Sequence, residues 1–411
     1  MSTTLFRNVK TLAGLGNPAQ PLRGPALSAL SSINDAYLLI EDNEIAAFGS
    51  MNDLPTEHAD HSIDATGRFI LPAWCDSHTH LVFAASREEE FVDKLKGLTY
   101  AEIAAKGGGI LNSASKLQAA SEDELFNSAW KRLEEISKWG TGAVEIKSGY
   151  GLTVEAELKM LRVIKRLKER SPLAVKATFL GAHTYPPAFR DDHAGYIHSI
   201  IHDMLPVIAR EKLADYIDVF CEHGFFSAAE TETICLAGKE YGLKAKIHAN
   251  QLNLSGGVEV GVKLNAVSVD HLETMDDATI RLLASSGTIA TMLPTAAFFL
   301  RMAYQPARQM IDAGCAVALA TDFNPGSSPS GNMNLLLAMS CIQMKMLPEE
   351  AINAATINGA FAMEVDKELG SIAAGKKANL ILTKEIPSLA YIPYAFGNTL
   401  VDRVMIGGEW Q

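Results

Sequence analysis

The chain has 411 residues, of which 48% are hydrophobic, and its formal net charge is −12 at pH 7. A chain of this length can bury a large core and hold one big domain beside a smaller one. The acidic balance excludes a general attraction for nucleic acid, whose phosphates require basic patches.

Export and membrane insertion are not expected from this sequence. Residues 1–16 contain no continuous apolar stretch of the kind found in signal peptides, and no later segment approaches the roughly 20 apolar residues that span a bilayer. Five cysteines are scattered along the chain, mostly in apolar runs, which suits reduced core thiols. We therefore expect a cytoplasmic protein without a membrane partner.

Both ends of the chain carry short strand-like segments. At the N-terminal end these segments lie at 5–12, 36–41 and 44–49, and at the C-terminal end they lie at 378–383 and 401–405. Each end is too small to fold comfortably alone. The sequence therefore predicts that residues 1–68 and 370–411 combine into one discontinuous β-sandwich domain.

Residues 69–369 show a different pattern, in which short apolar runs alternate with helix-length amphipathic segments. This alternation is typical of parallel βα units. Eight strands are predicted, at 70–78, 143–147, 175–180, 216–221, 244–248, 266–270, 288–292 and 317–321. Eight such units predict an α/β protein with a (β/α)8 TIM barrel, whose functional site forms at the C-terminal ends of the strands.

Histidines and a carboxylate fall at these strand ends. His78 and His80 lie two residues apart at the end of the first strand and therefore share a face. Taken alone, such a pair is more often just two polar residues at a strand end, solvated or hydrogen-bonded to neighbours, than a metal site. However, His248 ends the fifth strand, and Asp322 follows the eighth, which neighbours the first in a closed barrel. Three imidazoles and a carboxylate suit one divalent metal ion that activates water, with Asp322 placed to take the proton.

Two other histidine arrangements also have purely structural explanations. His198 and His202 have the i, i+4 spacing of helical zinc ligands, but the run lacks the glutamate of a His-Glu-x-x-His protease, which favours a plain helix surface. His183 and His271 also lie at strand ends, where a lone histidine is often only a satisfied core residue.

Three motifs identify a family resemblance. They are Asp-Ser-His-Thr-His at 76–80, Lys-Ser-Gly-Tyr-Gly at 147–151 and Asn-Pro-Gly at 324–326. Along nearly its whole length the chain resembles the amidohydrolase superfamily and, within it, the imidazolonepropionase family. The first motif marks the superfamily, and the other two are specific to the family.

The resemblance implies metal-dependent hydrolysis of the cyclic amide of 4-imidazolone-5-propanoate to N-formimidoyl-L-glutamate, in the degradation of histidine to glutamate. It implies one divalent or trivalent metal ion per subunit, zinc or iron, and a homodimer. The implied metal ligands are His78, His80, His248 and Asp322, with Asp322 and His271 as catalytic residues. The implied substrate contacts are Arg87, Tyr150, His183, Gln251 and Ser327, and the implied product contacts are Tyr150, Asn324 and Gly326.

Rival interpretations follow from the same barrel. Deaminases of the superfamily place a glutamate three residues after the fifth-strand histidine, whereas this chain has Gln251, which cannot titrate. A mononuclear aminohydrolase is therefore the alternative activity, and hydrolysis of a cyclic amide is favoured over it.

Binuclear relatives carry a carboxylated lysine on the fourth strand, where residues 219–223 contain none, so one metal is favoured over two. A non-catalytic assembly subunit would be expected to have a broken ligand set, and this set is intact.

Overall fold

The structure is a computed structural model that describes residues 2–54, 59–98, 102, 106 and 108–411. Within these ranges the strands form two sheets of eight strands each. One sheet is built from both ends of the chain, and the other is built from its middle. This division confirms the predicted class, a (β/α)8 barrel beside a β-domain to which both termini contribute.

The strands are numbered in chain order. They are β1 (Thr3–Ala13), β2 (Ser32–Glu41), β3 (Glu44–Ser50), β4 (His61–Asp64), β5 (Arg68–Pro72), β6 (Trp74–Thr79), β7 (Thr141–Lys147), β8 (Ala174–Ala182), β9 (Tyr216–Cys221), β10 (Lys244–Ala249), β11 (Ser268–His271), β12 (Ile289–Met292), β13 (Val317–Leu319), β14 (Leu380–Glu385), β15 (Val401–Ile406) and β16 (Glu409–Trp410).

The terminal sheet has the order β16-β15-β14-β5-β1-β2-β3, and β4 pairs with β1. Antiparallel pairing of β14 with β5 joins the C-terminal strands to the N-terminal ones. Apolar side chains such as Phe6, Leu38, Leu380 and Met405 form a core of their own beneath this sheet. The two ends of the chain therefore bury together the apolar surface that neither could bury alone.

The barrel sheet runs in sequence order from β6 to β13, and its neighbouring strands are parallel. The ring closes at the C-terminal ends, where Asp322 N donates to His78 O at 2.9 Å and His80 N donates to Phe323 O at 2.9 Å. Buried Asp76 reinforces the closure, because its carboxylate accepts from the amide and the hydroxyl of Thr321. Closure places Asp322 beside the end of the first barrel strand.

The α-helices of the described residues are α1 (Glu88–Leu95), α2 (Ile110–Ala119), α3 (Glu122–Lys138), α4 (Val154–Arg170), α5 (His193–Ser199), α6 (Leu205–Glu211), α7 (Ala228–Glu240), α8 (Gly257–Lys263), α9 (Asp277–Ala284), α10 (Pro294–Leu300), α11 (Ala307–Asp312), α12 (Met333–Met344), α13 (Pro348–Ala355), α14 (Ile357–Ala362) and α15 (Tyr391–Tyr394). Several begin at a side-chain cap, and Ser121 and Ser227 start α3 and α7 with complete capping boxes. No helix of the described residues combines the length and the apolar character needed to cross a membrane.

One predicted element is wrong. The apolar run at 70–78 is not a single strand, because it changes sheets at Ala73. Residues up to Pro72 pair with β14, whereas the Trp74 amide donates to Gly140 O at the start of the barrel. The Ala73 amide donates to Asn379 O at 2.9 Å, and proline at 72 has no amide hydrogen with which to continue a ladder. Arg68–Pro72 thus belongs to the terminal sheet, while the division of the chain into domains at 1–68, 69–369 and 370–411 stays a prediction.

Candidate active site

Four barrel strands end in the histidines and the carboxylate that the sequence singled out. His78 belongs to β6 and His80 follows it, His248 lies near the end of β10, His271 ends β11, and Asp322 comes three residues after β13. All five side chains are buried, each with 3% or less of its surface exposed. The barrel therefore brings together residues that lie up to 244 positions apart in the sequence (78 to 322).

These side chains form two overlapping groups with the spacing of metal ligands. His78, His80 and Asp322 form one group, and His78, His248 and His271 form the other, with ligand atoms within 4.8 Å of one another in each. Asp322 Oδ1 lies 3.6 Å from Nε2 of both His78 and His80. Ligands about 2.1 Å from a tetrahedral ion are about 3.4 Å apart, so these separations fit a metal with little adjustment.

Unpartnered nitrogen atoms support the same interpretation. Nε2 of His78 and Nε2 of His248 are buried without a hydrogen-bond partner among the described residues. Buried polar atoms normally have partners, and an imidazole and carboxylate set suits zinc or iron. The residues present therefore fit a metal ion. The roles of His78, His80, His248 and Asp322 as ligands stay predictions.

The electrostatics keep the imidazoles available as ligands. Burial, reinforced by the positive charge of Lys147, holds the pKa values of His78, His80 and His248 well below the ordinary value of 6.5. Burial also raises the pKa of Asp322 to about 6, although His271 and the Ser327 hydroxyl oppose this shift. Neutral imidazoles beside a carboxyl group that titrates near neutrality can bind a metal and exchange a proton.

His271 differs from the other histidines. Although burial lowers the pKa of His271, the carboxylate of Glu273 outweighs burial and raises it. Nδ1 of His271 lies 3.3 Å from Glu273 Oε1, and Gln305 Nε2 donates to the same oxygen at 3.0 Å. His271 adopts a φ of 88°, a conformation that side chains rarely take and that often marks functional sites. Glu273 lies two residues from His271, and its role was not predicted from the sequence.

A cavity of about 240 Å³ opens above these residues. Every predicted contact residue lines it: Arg87, Tyr150, His183, Gln251, Asn324, Gly326 and Ser327. His80, His248, His271 and Asp322 line it as well, whereas His78 lies deeper. Sequence reasoning missed Glu90 and Lys94 of α1 and the apolar lining side chains Ile110, Phe220, Phe225 and Leu300. The cavity is therefore lined by side chains of the kinds that bind metals and also by polar, positively charged and apolar side chains.

Arg87 is held in place at the cavity wall. Its Nε lies 3.1 Å from the Glu90 carboxylate, which also accepts from Gly109 N at 3.0 Å. A Cβ atom at position 326 would lie 2.2 Å from Arg87 Nη1, so only glycine lets the guanidinium approach the backbone there. Arg87 therefore forms an ion pair with Glu90 and still lines the cavity.

His183 and Tyr150 form an aromatic wall with His80. His183 stacks on His80 with ring centroids 5.3 Å apart, and Tyr150 meets both rings edge-on. Burial lowers the pKa of His183 to about 4, and its Nδ1 lies 3.0 Å from Gly149 O. A neutral ring that donates from Nδ1 leaves Nε2 as an acceptor. Gly149 has a φ of 107°, and a Cβ there would lie 2.9 Å from His183 Nδ1, which explains this glycine.

The loop after β13 uses its polar side chains internally. Asn324 donates to Asp322 O at 2.6 Å and to Ser327 Oγ at 2.7 Å, and its own Oδ1 accepts from the amides of Gly326 and Ser327. Ser327 in turn donates to Asp322 Oδ2 at 2.9 Å. These bonds orient the Asp322 carboxylate. Contacts of Asn324, Gly326 and Ser327 with a bound molecule stay predictions.

Glu222 organises the segment that carries Gln251. Its carboxylate accepts from Leu252 N at 2.8 Å, from Asn253 N at 3.2 Å and from Asn253 Nδ2 at 3.1 Å. Only 2% of Glu222 is exposed. The sequence left the role of Glu222 open, and the structure shows that it anchors the backbone immediately after Gln251.

Comparison with known proteins places the chain in a family. A profile of the amidohydrolase family matches residues 69–411. The chain is 57% identical to the imidazolonepropionase of Flavobacterium johnsoniae and 54% identical to that of Christiangramia forsetii, and each match covers 99% of both proteins.

Solved structures that resemble the fold are much more distant in sequence. E. coli guanine deaminase has a TM-score of 0.74 at 14% identity, over 100% of this chain and 99% of that one. A zinc-bound adenosine deaminase from Xanthomonas campestris has a TM-score of 0.72 at 16% identity, over 100% and 92% of the two chains. These similarities establish the fold alone. The sequence matches go further, and the chain belongs to the amidohydrolase family and, within it, to the imidazolonepropionase family.

Proposed function

We propose that this chain hydrolyses the cyclic amide of 4-imidazolone-5-propanoate to N-formimidoyl-L-glutamate, a step in the degradation of histidine to glutamate. One observation carries the proposal beyond family membership. A single cavity is lined by three predicted metal ligands, His80, His248 and Asp322, and by Arg87, which a neighbouring carboxylate holds against the wall. A substrate with a hydrolysable ring at one end and a carboxylate at the other matches this pairing.

His78, His80, His248 and Asp322 would hold one zinc or iron ion per subunit. When bound, the metal would make a water molecule more acidic and polarise the ring carbonyl. Asp322 is the proton acceptor in this proposal, because its carboxylate lines the cavity and lies 3.6 Å from Nε2 of both His78 and His80. The Ser327 hydroxyl, 2.9 Å from Asp322 Oδ2, keeps the carboxylate oriented.

The ring opens when the water oxygen bonds to the carbonyl carbon and the bond from that carbon to the adjacent ring nitrogen breaks. Glu273 raises the pKa of His271 and so favours its protonated ring, and His271 donates a hydrogen bond to the carbonyl oxygen as negative charge develops on it. The proton taken by Asp322 passes to the departing nitrogen. The products of this step are a new carboxylate and an open formimidoyl group, and no other reactant is needed.

The remaining cavity residues bind and orient the substrate. Arg87 pairs with the propionate carboxylate and so provides positive charge for an anionic substrate in an acidic chain. Tyr150, His183, Gln251 and Ser327 contact the substrate, and Tyr150, Asn324 and Gly326 contact the ring-opened product. Gln251 is a neutral amide, so it orients a ring without transferring protons, which favours this reaction over deamination.

A cytoplasmic location and a homodimer complete the proposal. All five cysteines are free in the structure, as expected in a reducing compartment. The homodimer rests on family resemblance.

The test is metal analysis of protein purified without chelators, together with imidazolone propionate turnover followed by loss of the ring's ultraviolet absorbance. We expect Arg87→Ala to lower kcat/KM roughly a hundredfold, because removing one partner of a desolvated charge pair typically costs about 2–5 kcal/mol. Arg190→Ala, on the exposed surface, is the control. We expect His248→Ala to lose most of its metal while remaining folded.

Three results would contradict the proposal. Full turnover by Arg87→Ala would exclude the carboxylate clamp, and full metal content in His248→Ala would exclude the ligand assignment. Absence of imidazolone propionate turnover, combined with ammonia release from purine or pyrimidine rings, would establish the aminohydrolase alternative instead.

A further inference from the structure

Five charged side chains fill the barrel interior beneath the candidate metal centre. They are Glu145, Lys147, Asp218, Lys246 and Asp270, and each has 0% of its surface exposed. Buried charges are costly unless they are paired and hydrogen-bonded. Two lysines and three carboxylates give a net charge of −1, which complements a metal cation above them. The mechanism proposed above uses none of these five side chains.

Lys147 is the centre of this cluster. An ammonium group has three N–H donors, and here three different carboxylates are within reach. Lys147 Nζ lies 2.7 Å from Glu145 Oε1, 2.8 Å from Asp218 Oδ2 and 3.3 Å from Asp270 Oδ2. Although burial lowers the pKa of Lys147, these carboxylates outweigh burial and raise it. Because Lys147 stays protonated, it cannot form the carbamate that bridges two metals in binuclear relatives.

The two aspartate oxygens that face Lys147 also face histidines of the candidate centre. Asp270 Oδ2 lies 2.7 Å from His78 Nδ1, in a hydrogen bond. Asp218 Oδ2 lies 2.9 Å from His248 Nδ1, at ion-pair distance but without a hydrogen bond. Asp218 Oδ1 also accepts from the His248 amide at 3.1 Å. Each aspartate therefore connects Lys147 to one predicted ligand.

We propose that Lys147 is a positioning residue for the metal centre, acting on His78 through Asp270 and on His248 through Asp218. A carboxylate next to Nδ1 keeps the proton on that nitrogen and leaves Nε2 for the metal, and such contacts commonly change metal affinity by 10- to 100-fold. Lys147 holds both carboxylates at once, so it controls two ligands from one atom. This inference rests on the metal centre of the proposed function.

The chain offers matched controls for Lys147. Lys246 is equally buried, but its hydrogen bonds go to Ser77 O at 3.0 Å and to Glu145. Glu145 is likewise buried and bonded to Lys147, but its other contacts are Lys246 and the Thr178 hydroxyl rather than a histidine. Changes at Lys246 and Glu145 therefore disturb the same ionic core without releasing either aspartate.

The experiment compares Lys147→Met with Lys246→Met in the full-length protein. Zinc affinity is measured by competition with a chromophoric chelator, the visible spectrum of the cobalt-loaded protein reports ligand geometry, and circular dichroism verifies folding. We expect Lys147→Met to bind zinc 10- to 100-fold more weakly than wild type and to show an altered cobalt spectrum. We expect the zinc affinity of Lys246→Met to stay within threefold of wild type. Equal affinity in wild type and folded Lys147→Met, or equal losses in both variants, would overturn the inference.

If Lys147→Met does not fold, Asp218→Asn and Asp270→Asn replace it, with Glu145→Gln as the control. We expect at least tenfold weaker zinc binding for both asparagine variants and less than threefold weaker binding for the control. Wild-type affinity in the asparagine variants would overturn the inference. If the wild type binds zinc and opens imidazolone propionate, and the Lys147 or aspartate variants bind zinc equally well, the inference is refuted but the proposed function is not. Wild-type protein that binds no metal would refute the proposed centre as well.

Discussion

Glu222→Gln tests whether the segment carrying Gln251 depends on a buried carboxylate. In the wild type, one oxygen accepts from Leu252 N and Asn253 N, and the other accepts from Asn253 Nδ2 and His223 N. Glutamine replaces one of these two oxygens with an NH₂ group, whose hydrogens would face the N–H groups that now donate to that oxygen. Two hydrogen bonds to a charged group are therefore lost.

The size of the effect follows from these contacts. Hydrogen bonds to charged groups contribute about 1.5–3 kcal/mol each, and part of the loss is recovered where water reaches the segment. We expect the free energy of unfolding to fall by roughly 2–4 kcal/mol. Because Gln251 precedes the released amides, we also expect kcat/KM for imidazolone propionate to fall roughly ten- to a hundredfold through misplacement of the substrate.

Urea unfolding followed by circular dichroism measures the stability change, and steady-state kinetics measure the activity. Glu232→Gln is the control, because Glu232 pairs with Lys263 on the surface, where such pairs contribute at most about 1 kcal/mol. Stability within 0.5 kcal/mol of wild type (roughly the scatter of surface substitutions) together with kcat/KM within about twofold would refute the anchoring role of Glu222.

Two further predictions follow from the cavity. Gly326→Ala puts a Cβ atom 2.2 Å from Arg87 Nη1, so we expect KM to rise roughly tenfold with normal metal content, and an unchanged KM would show that the guanidinium can move freely. In chelator-treated protein, His183 has a folded pKa of about 4, below its ordinary value of 6.5. Between these values the unfolded chain binds more protons, so stability falls as pH falls. We expect His183→Gln to lose on the order of 1–2 kcal/mol less than wild type between pH 7 and pH 5, and equal losses would contradict the buried neutral ring.

The candidate site was predictable to the extent that its chemistry lies at strand ends. The spacing of His78 and His80 and the position of Asp322 after an apolar strand are local patterns, and a parallel barrel gathers strand ends on one face. The orientation of the side chains and their hydrogen-bond partners could not be predicted in the same way. Asn324 and Ser327 line the cavity as expected, yet their polar groups bond mainly within their own loop and with Asp322. Which hydrogen bonds a side chain forms depends on neighbours that the pattern does not identify.

The pattern of apolar residues also fails to predict where the chain passes from one sheet to the other. Residues 70–78 form one apolar run, but the chain leaves the terminal sheet at Ala73 and enters the barrel at Trp74. Both pieces are buried, so no change in hydrophobic pattern marks the switch. Only the pairing partners distinguish them.

The sequence by itself determined the order of βα units, the metal-ligand residue types and the neutral amide at position 251, because these depend on residue identity and on spacing along one element. The tertiary structure alone decided which charges meet. Lys147 lies 71 residues from Asp218 and 123 from Asp270, and Glu222 lies 30 residues from the amide that it anchors. Such contacts arise when the barrel strands assemble around a common interior, which brings together residues distant in sequence, so they become visible only when the chain is folded.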